Sequence, residues 1–497
     1  MRPRPLPRLL APLARPPLRR EVAGLTLLMV GFTVLASVHA ALLYTSYRVK
    51  GYDLGIFDQA VRQYALFNPP IVSVKGVGFH LLGDHFHPIL ALLAPAYWIW
   101  DDPRMLGIVT GLALAASAVP VHLVLRGRLG PGWSLAAVAG LLFSWPYQAM
   151  VNWGLHEVTL AVPVIAWLLW ALDRGRAWTA VLLCLPLLAA REDLGVTVAA
   201  VAVVLAVRRR WAPAAVALVA GVAGYWFATS VAIPHFSPDG SFFYWQFQAL
   251  GPDLGSSVTA ILTRPWEAAA ALVDHPLKVA LLLLHLVPLL FLPLLSPLTI
   301  IALPVLLSRL WNDRLTVWAP VYQYDAILAP VMLLAAVQAA VSLARRRPWA
   351  ARLPQRVTAV FLGTAVVGTL FVPVLYPFHR TLTGQITVTE RARDLDHAAS
   401  LIPDGVCVEA PDTVIPHLTP RTLVTLAGQM DPELPTWMVV DLREREPGGW
   451  DSLPAADALG RAEDLGFERV WDERGVVVLH RPDHPVNPVC SEYLRHR

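Results

Sequence analysis

Long apolar runs broken by short arginine-rich clusters fill residues 22–378, and a mixed polar pattern replaces them from His379 onwards. A bilayer core takes about 20 apolar residues per helix. On that basis the runs predict spans at Val22–Tyr44, Met105–Leu125, Trp133–Val151, Val158–Leu172, Ala177–Ala189 and Leu194–Val207. Further spans are predicted at Ala212–Ala232, Lys278–Leu295, Pro297–Leu310, Ala326–Ala344 and Leu353–Leu375. The pattern thus predicts about eleven transmembrane helices. Phe86–Trp100 is amphipathic and closed by Asp101, Asp102 and Pro103, so it is expected to lie at the membrane surface or re-enter it rather than cross.

Orientation follows from the arginines. Clusters stand at Arg2 to Arg20, Arg126/Arg128, Arg174/Arg176, Arg208–Arg210 and Arg345–Arg347, and short basic loops belong on the cytoplasmic side. With the N-terminus inside and an odd number of spans, every cluster lands there and the C-terminal region lies outside. Val38-His39-Ala40 loosely fits a small-residue cleavage site. The run around it is long for a signal peptide, so an uncleaved first helix is expected.

Past His379 the period changes. A helix is predicted over Thr387–Leu401, strands over Val406–Ala410, Leu423–Leu426 and Trp437–Leu442, a helix over Ala455–Leu465, and a closing hairpin from Phe467–Trp471 and Gly475–His480. About 120 residues suffice for one small α/β domain. The fold class expected is therefore mainly α: a polytopic transmembrane helical bundle with a small external α/β C-terminal domain. Its parts are a cytoplasmic Arg/Pro-rich segment (1–21), a bundle (22–378) whose first external loop is large (45–104), and the external domain (379–497).

Composition agrees with this picture. The 497 residues are 56% hydrophobic and 15% charged, against about 25% charged in soluble domains, which excludes a soluble enzyme or a disordered chain. The net charge of +4 conceals a split: residues 379–497 carry 12 arginines and 20 acidic groups, while the remainder is basic. Basic residues in a membrane body act as topological anchors, so no nucleic-acid partner is expected. Among the three cysteines, Cys184 falls in an apolar helix. Cys407 and Cys490 fall in the external region, where oxidation favours a disulfide that would staple Pro482–Arg497 onto the strand near Val406; two free thiols are the alternative. No Walker A loop, dinucleotide fingerprint or zinc-type cysteine spacing occurs in residues 379–497.

The predicted helices are nearly free of ionisable groups, His285 being the one placed deep in a span. Ion-coupled transporters usually hold such groups near the midplane. Here they collect at the outer edge instead. The first loop holds Gly51-Tyr52-Asp53-Leu54-Gly55-Ile56-Phe57-Asp58-Gln59, then His80 and Gly83-Asp84-His85-Phe86-His87-Pro88. Later edges add Asn152-Trp153-Gly154-Leu155-His156-Glu157, Arg191-Glu192-Asp193, and Arg309 with Trp311-Asn312-Asp313-Arg314 and Tyr322-Gln323-Tyr324.

Plainer roles compete with chemistry at each position. Asp53 could cap a helix starting at Leu54. Asp53 and Asp58, five residues apart, would not share a helix face, which argues against a paired-carboxylate hydrolase. Asp84, His85 and His87 are ligand types suited to a divalent metal, the one cofactor to consider, but equally to hydrogen bonding. Arg191-Glu192-Asp193 could be a local ion-pair network, and His285 a helix-packing hydrogen bonder.

The stretch Tyr52–Gln59, continued by Gly83–Pro88 and Arg191–Asp193, resembles the motifs of an uncharacterised prokaryotic family of polytopic membrane proteins. That family is similar to the GT-C membrane glycosyltransferases, which take sugars from polyprenyl-phosphate carriers. The resemblance implies a first helix, an external loop bearing an essential acid, juxtamembrane helices, a bundle and often an external C-terminal domain. It places that acid at Asp53, with Asp58 the other candidate. The Asp-x-Asp pair of some metal-dependent members is missing here.

Such chemistry needs a carboxylate to deprotonate an acceptor hydroxyl and cations to stabilise a departing phosphate. Arg191, Arg309, the histidines and Lys75 are the available cations, and arginine suits phosphate because its fork bonds two oxygens. His80, Asp84, His85, His87, His156, Glu157, Arg191, Glu192, Asp193 and Arg309 are thus the candidate binding residues around Asp53 and Asp58. The expected partners are membrane lipid and a polyprenyl-phosphate-linked sugar. A lipid or sugar transporter, and a non-catalytic envelope protein whose C-terminal region binds a partner, are the two other readings. A cavity opening towards lipid beneath Asp53 would separate them.

Overall fold

The computed structural model describes residues 18–444, 447–449 and 452–495. Most of the N-terminal segment expected at 1–21 lies outside them. All eleven expected spans are largely helical, and they divide into two groups by length. Among the described residues six helices are long and apolar enough to cross a bilayer: Arg19–Thr45, Arg104–Leu129, Pro131–Trp153, Trp211–Phe236, Leu328–Arg346 and Pro348–Phe371. The other five are shorter. Glu157–Asp173 has 17 residues, Leu194–Val207 has 14 and Thr299–Trp311 has 13. Ala177–Leu188 is interrupted at Leu183. The helix from Pro276 ends where Leu290 and Phe291 take positive φ. A 13-residue helix reaches about 20 Å, short of the roughly 30 Å hydrocarbon core. Pro186, Pro288 and Pro293 lie in or beside the two interrupted segments, where they remove backbone donors and favour a break.

The bundle core is built from side chains of many helices, including Phe32, Leu141, Tyr147, Leu168, Val201 and Leu333, all buried. The first loop leaves the end of Arg19–Thr45 and forms a wide π turn, Gly51–Gly55, which runs directly into helix Ile56–Ala65. Pro88–Ile99, the segment expected not to cross, has its first half in 3-10 conformation and is too short to span.

The C-terminal region forms one five-stranded sheet from β1 (Cys407–Glu409), β2 (Leu423–Thr425), β3 (Trp437–Asp441), β4 (Glu468–Glu473) and β5 (Val476–His480), in the order β2-β1-β3-β5-β4. β1 pairs in parallel with β2 and β3, while β4 and β5 form an antiparallel hairpin beside β3. Helices Glu390–Ser400 and Ala455–Asp464 complete it. Cys407 and Cys490 are joined by a disulfide that ties the last helix to β1. The sheet does not stand apart from the first loop. Ile56, Ala60, Val72, Val74 and Leu81 share a continuous core with Leu395, Val408, Ile415, Val424 and Val478.

Candidate active site

Asp53 sits inside the π turn, so it is not the helix cap that its position before Leu54 permitted; Lys50 occupies the capping position. Wide turns of this kind recur at functional sites. The Asp53 side chain is 21% exposed, and its Oδ1 lies 3.3 Å from His156 Nε2. His156 reaches it because helix Trp145–Trp153 stops at Gly154, whose φ of +85° suits glycine and turns the chain back. Burial alone would lower the His156 pKa, but the hydrogen bond and charge of Asp53, with the charge of Glu157, raise it. The Gln323 side-chain amide lies 2.8 Å from the same ring nitrogen, and the Phe57 ring centroid is 5.2 Å away.

Beside this pair runs a band of alternating charge. Arg191 Nη1 stands 3.5 Å from Glu157 Oε1, while its Nε and Nη2 donate to Asp193 at 2.7 and 2.5 Å. His85 Nδ1 bonds Glu192 Oε1 at 2.7 Å, and Glu192 also accepts the Phe86 amide at 3.1 Å. Burial opposes protonation of His85, yet Glu192, Asp84 and Glu157 carry its pKa up to about 9. Asp84 is half-buried, which favours its neutral form, but Lys75 at 2.6 Å, His85 and the donating Tyr244 hydroxyl hold its pKa down at about 2. Tyr244 stacks flat on His85 with centroids 4.2 Å apart. The buried His87 Nδ1 has no protein hydrogen-bond partner.

The structure therefore brings Asp53, Asp84, His85, His87, His156, Glu157, Arg191, Glu192 and Asp193 into one neighbourhood, although they come from four separate stretches of chain. It keeps three others apart. His80 accepts the Leu82 amide and stacks on Phe236, with centroids 4.0 Å apart. Asp58 is fully buried: Arg62 donates to both its oxygens at 2.5 and 2.9 Å, and Tyr97 donates at 2.7 Å. Arg309 is bound to the buried Asp325, which also meets His285 at 2.8 Å. Arg309 remains within electrostatic reach of Arg191 and Tyr324, so it backs the site rather than opening onto it.

Among the described residues no three His, Cys, Asp or Glu side chains are grouped to hold an ion. Asp84 and His85 spend their ligating atoms on Lys75, Tyr244 and Glu192. Two cavities also lie elsewhere than beneath Asp53. One runs between helices past Trp145, His285, Phe361 and Tyr376, and one lies at the ends of β1, β2 and β3.

Sequence reasoning missed Tyr244, Asp325 and the partners of Asp58. The aromatic run Phe242-Phe243-Tyr244-Trp245 was a usable signal for the first. Asp325 was hidden by standing one residue before the apolar run that begins at Ala326.

No curated protein matches the chain. Solved structures do share its fold. ArnT from Cupriavidus metallidurans bound to undecaprenyl phosphate is 14% identical, with a TM-score of 0.55 over 94% of this chain and 99% of that one. The same protein in the apo state gives 0.54 over 93% and 98%, also at 14% identity. At that identity the likeness is one of fold, in keeping with the GT-C resemblance of the motifs. The model of the predicted membrane protein family DUF2079 matches residues 43–453, and the chain belongs to that family.

Proposed function

We propose that the protein is a membrane glycosyltransferase that moves a sugar from a polyprenyl-phosphate carrier to a hydroxyl of an envelope acceptor. The observation that carries this reading is Asp53: a partly exposed carboxylate on a π turn, in contact with His156 and beside the Arg191 band. The undecaprenyl phosphate held by ArnT supports a polyprenyl phosphate as the carrier class. Asp53 accepts the proton of the acceptor hydroxyl while that oxygen bonds to the sugar's anomeric carbon. The bond from that carbon to the carrier phosphate breaks, and the phosphate leaves with the electron pair. Lys75, protonated His85 and Arg191 supply positive charge for the departing anion. In this reading residues 1–21 are cytoplasmic, residues 22–378 form the bundle, and loop 45–104 and residues 379–497 face outwards.

The test compares lipid-linked sugars and envelope glycans in a deletion strain carrying wild type or Asp53→Asn. Loss of one glycan with accumulation of its lipid-linked donor is expected from Asp53→Asn, and wild-type glycans would reject the assignment. One observation favours transport as the second reading: the buried cluster of His285, Asp325 and Arg309 within the bundle, a kind of grouping common on substrate paths. A transporter would leave the linked sugars chemically unchanged and only alter the face on which they are found.

A further inference from the structure

The π turn that carries Asp53 is capped from the far end of the chain. The first amides of a helical turn have no partner within it, and the residue at the capping position usually supplies an acceptor. Here that residue is Lys50, whose side chain makes no capping bond. Asp412, which follows β1, takes its place. Its main-chain carbonyl accepts the Gly51 amide at 2.7 Å, and its Oδ1 accepts the Tyr52 amide at 3.0 Å. Lys50 Nζ stands 3.7 Å from the other carboxylate oxygen, and Asp412 itself is 2% exposed.

Packing enforces the same register. Ile415, three residues on, lies so close to Gly51 that a Cβ there would sit 2.5 Å from Ile415 Cγ2, and one on Gly55 would sit 3.1 Å away. Both glycines flanking Asp53 are thus seated on one side chain of the C-terminal region. Around them Ser73 donates to the Val424 carbonyl at 2.8 Å, and Tyr47 stacks on His417 with centroids 3.8 Å apart.

We infer that Asp412 is a positioning residue for Asp53, which makes the C-terminal α/β region a working part of the active site rather than an appendage. The inference rests on the proposed role of Asp53. Asp412 touches no reacting atom; it fixes the start of the turn, and the turn fixes the carboxylate. Misplacement of a catalytic group by about 1 Å can cost about 100-fold in rate.

The test uses the full-length protein, with hydrogen exchange of the 50–57 segment in nanodiscs and glycan product levels in the complemented deletion strain. Asp412→Ala removes the side-chain acceptor. The Tyr52 amide should then exchange about 10-fold faster, and product should fall about 10- to 100-fold with protein level and retention of added undecaprenyl phosphate unchanged. Asp412→Asn keeps a side-chain carbonyl and should restore both. Tyr47→Phe removes another bond between loop and C-terminal region, to Asp396 at 3.1 Å, and should move neither. Wild-type product from Asp412→Ala, or failure of Asp412→Asn to rescue, would overturn the inference while an inactive Asp53→Asn left the reading of the site intact. An active Asp53→Asn would remove both together.

Discussion

Asp53 and Asp58 stand five residues apart in one motif, and the structure puts them to opposite uses. Asp58 is enclosed by Arg62 and Tyr97, with Arg62 bonded onward to Asp101 at 2.7 Å. Its oxygens are saturated, so taking up a substrate proton would mean breaking a buried ion pair. Asp53 meets an imidazole at 3.3 Å on a partly exposed turn, and no lysine or arginine pairs with it among the described residues. The imidazole meets one oxygen of Asp53, whereas the bidentate guanidinium holds both oxygens of Asp58. Residue type and motif membership therefore do not assign a role here; the satisfaction of each oxygen does.

Two substitutions sharpen that contrast most. Asp53→Asn should lower turnover by about 100- to 10,000-fold, the range for losing a general base, while solubilised protein melts as wild type. Asp58→Asn should do the reverse in kind. It strands Arg62 in the interior, and removing one partner of a buried pair costs about 3–5 kcal/mol. The measurement is thermal unfolding, and Asp58→Asn combined with Arg62→Met should recover much of the loss. If Asp58→Asn folds normally and only activity falls, the two aspartates have been assigned the wrong way round.

Much of this was legible in the sequence, and the reasons are physical. The hydrophobic period located each bundle segment, and short apolar runs bounded by turn signals located the strands of the C-terminal region, because β1, β2, β3 and β5 are buried on both faces. Length was legible and helix continuity was not: the breaks at Leu183 and Leu290–Phe291 depend on where nearby prolines meet packed neighbours. At the site, polar residues at span edges pointed to His156, Arg191 and Glu192 as neighbours of Asp53. What they could not reveal was pairing. That Arg309 belongs to Asp325 and the Asp53 turn to Asp412 are relations between distant partners with no local mark in one chain, whereas Asp58 and Arg62 stand four apart on one helix, a spacing that does mark a pair.

The disulfide tests how far the C-terminal region depends on its own staple. Cys407 and Cys490 close a separation of 83 residues, and loss of such a link typically costs about 2–4 kcal/mol. Cys490→Ala should therefore lower the melting temperature of the C-terminal region more than that of the bundle, read by hydrogen exchange of the β1–β2 amides against those of Leu328–Arg346. Equal shifts in both would mean that the shared core around Ile415 unfolds as one unit with the bundle.

The smallest expected effect concerns pH and the band beside Asp53. His85 has an unfolded pKa of about 6.5, and in the folded protein Glu192 and its acidic neighbours overcome burial to bring it to about 9. Folding thus favours the protonated ring, so the His85–Glu192 pair contributes its full stabilisation below about pH 6.5, progressively less as pH rises, and nothing further above the folded value. Asp84 behaves in the opposite sense: held at about 2, it loses its contribution only as pH falls below about 4. The two windows do not overlap, so a decline in melting temperature between about pH 7 and 9 reports the raised histidines, His85 and the Asp53-bound His156, and not Asp84. His85→Gln should make that decline shallower while leaving the acid limb in place. A slope that His85→Gln leaves unchanged would show that another group titrates there, and the positive charge assigned to His85 at the site would have to come from Lys75 and Arg191 alone.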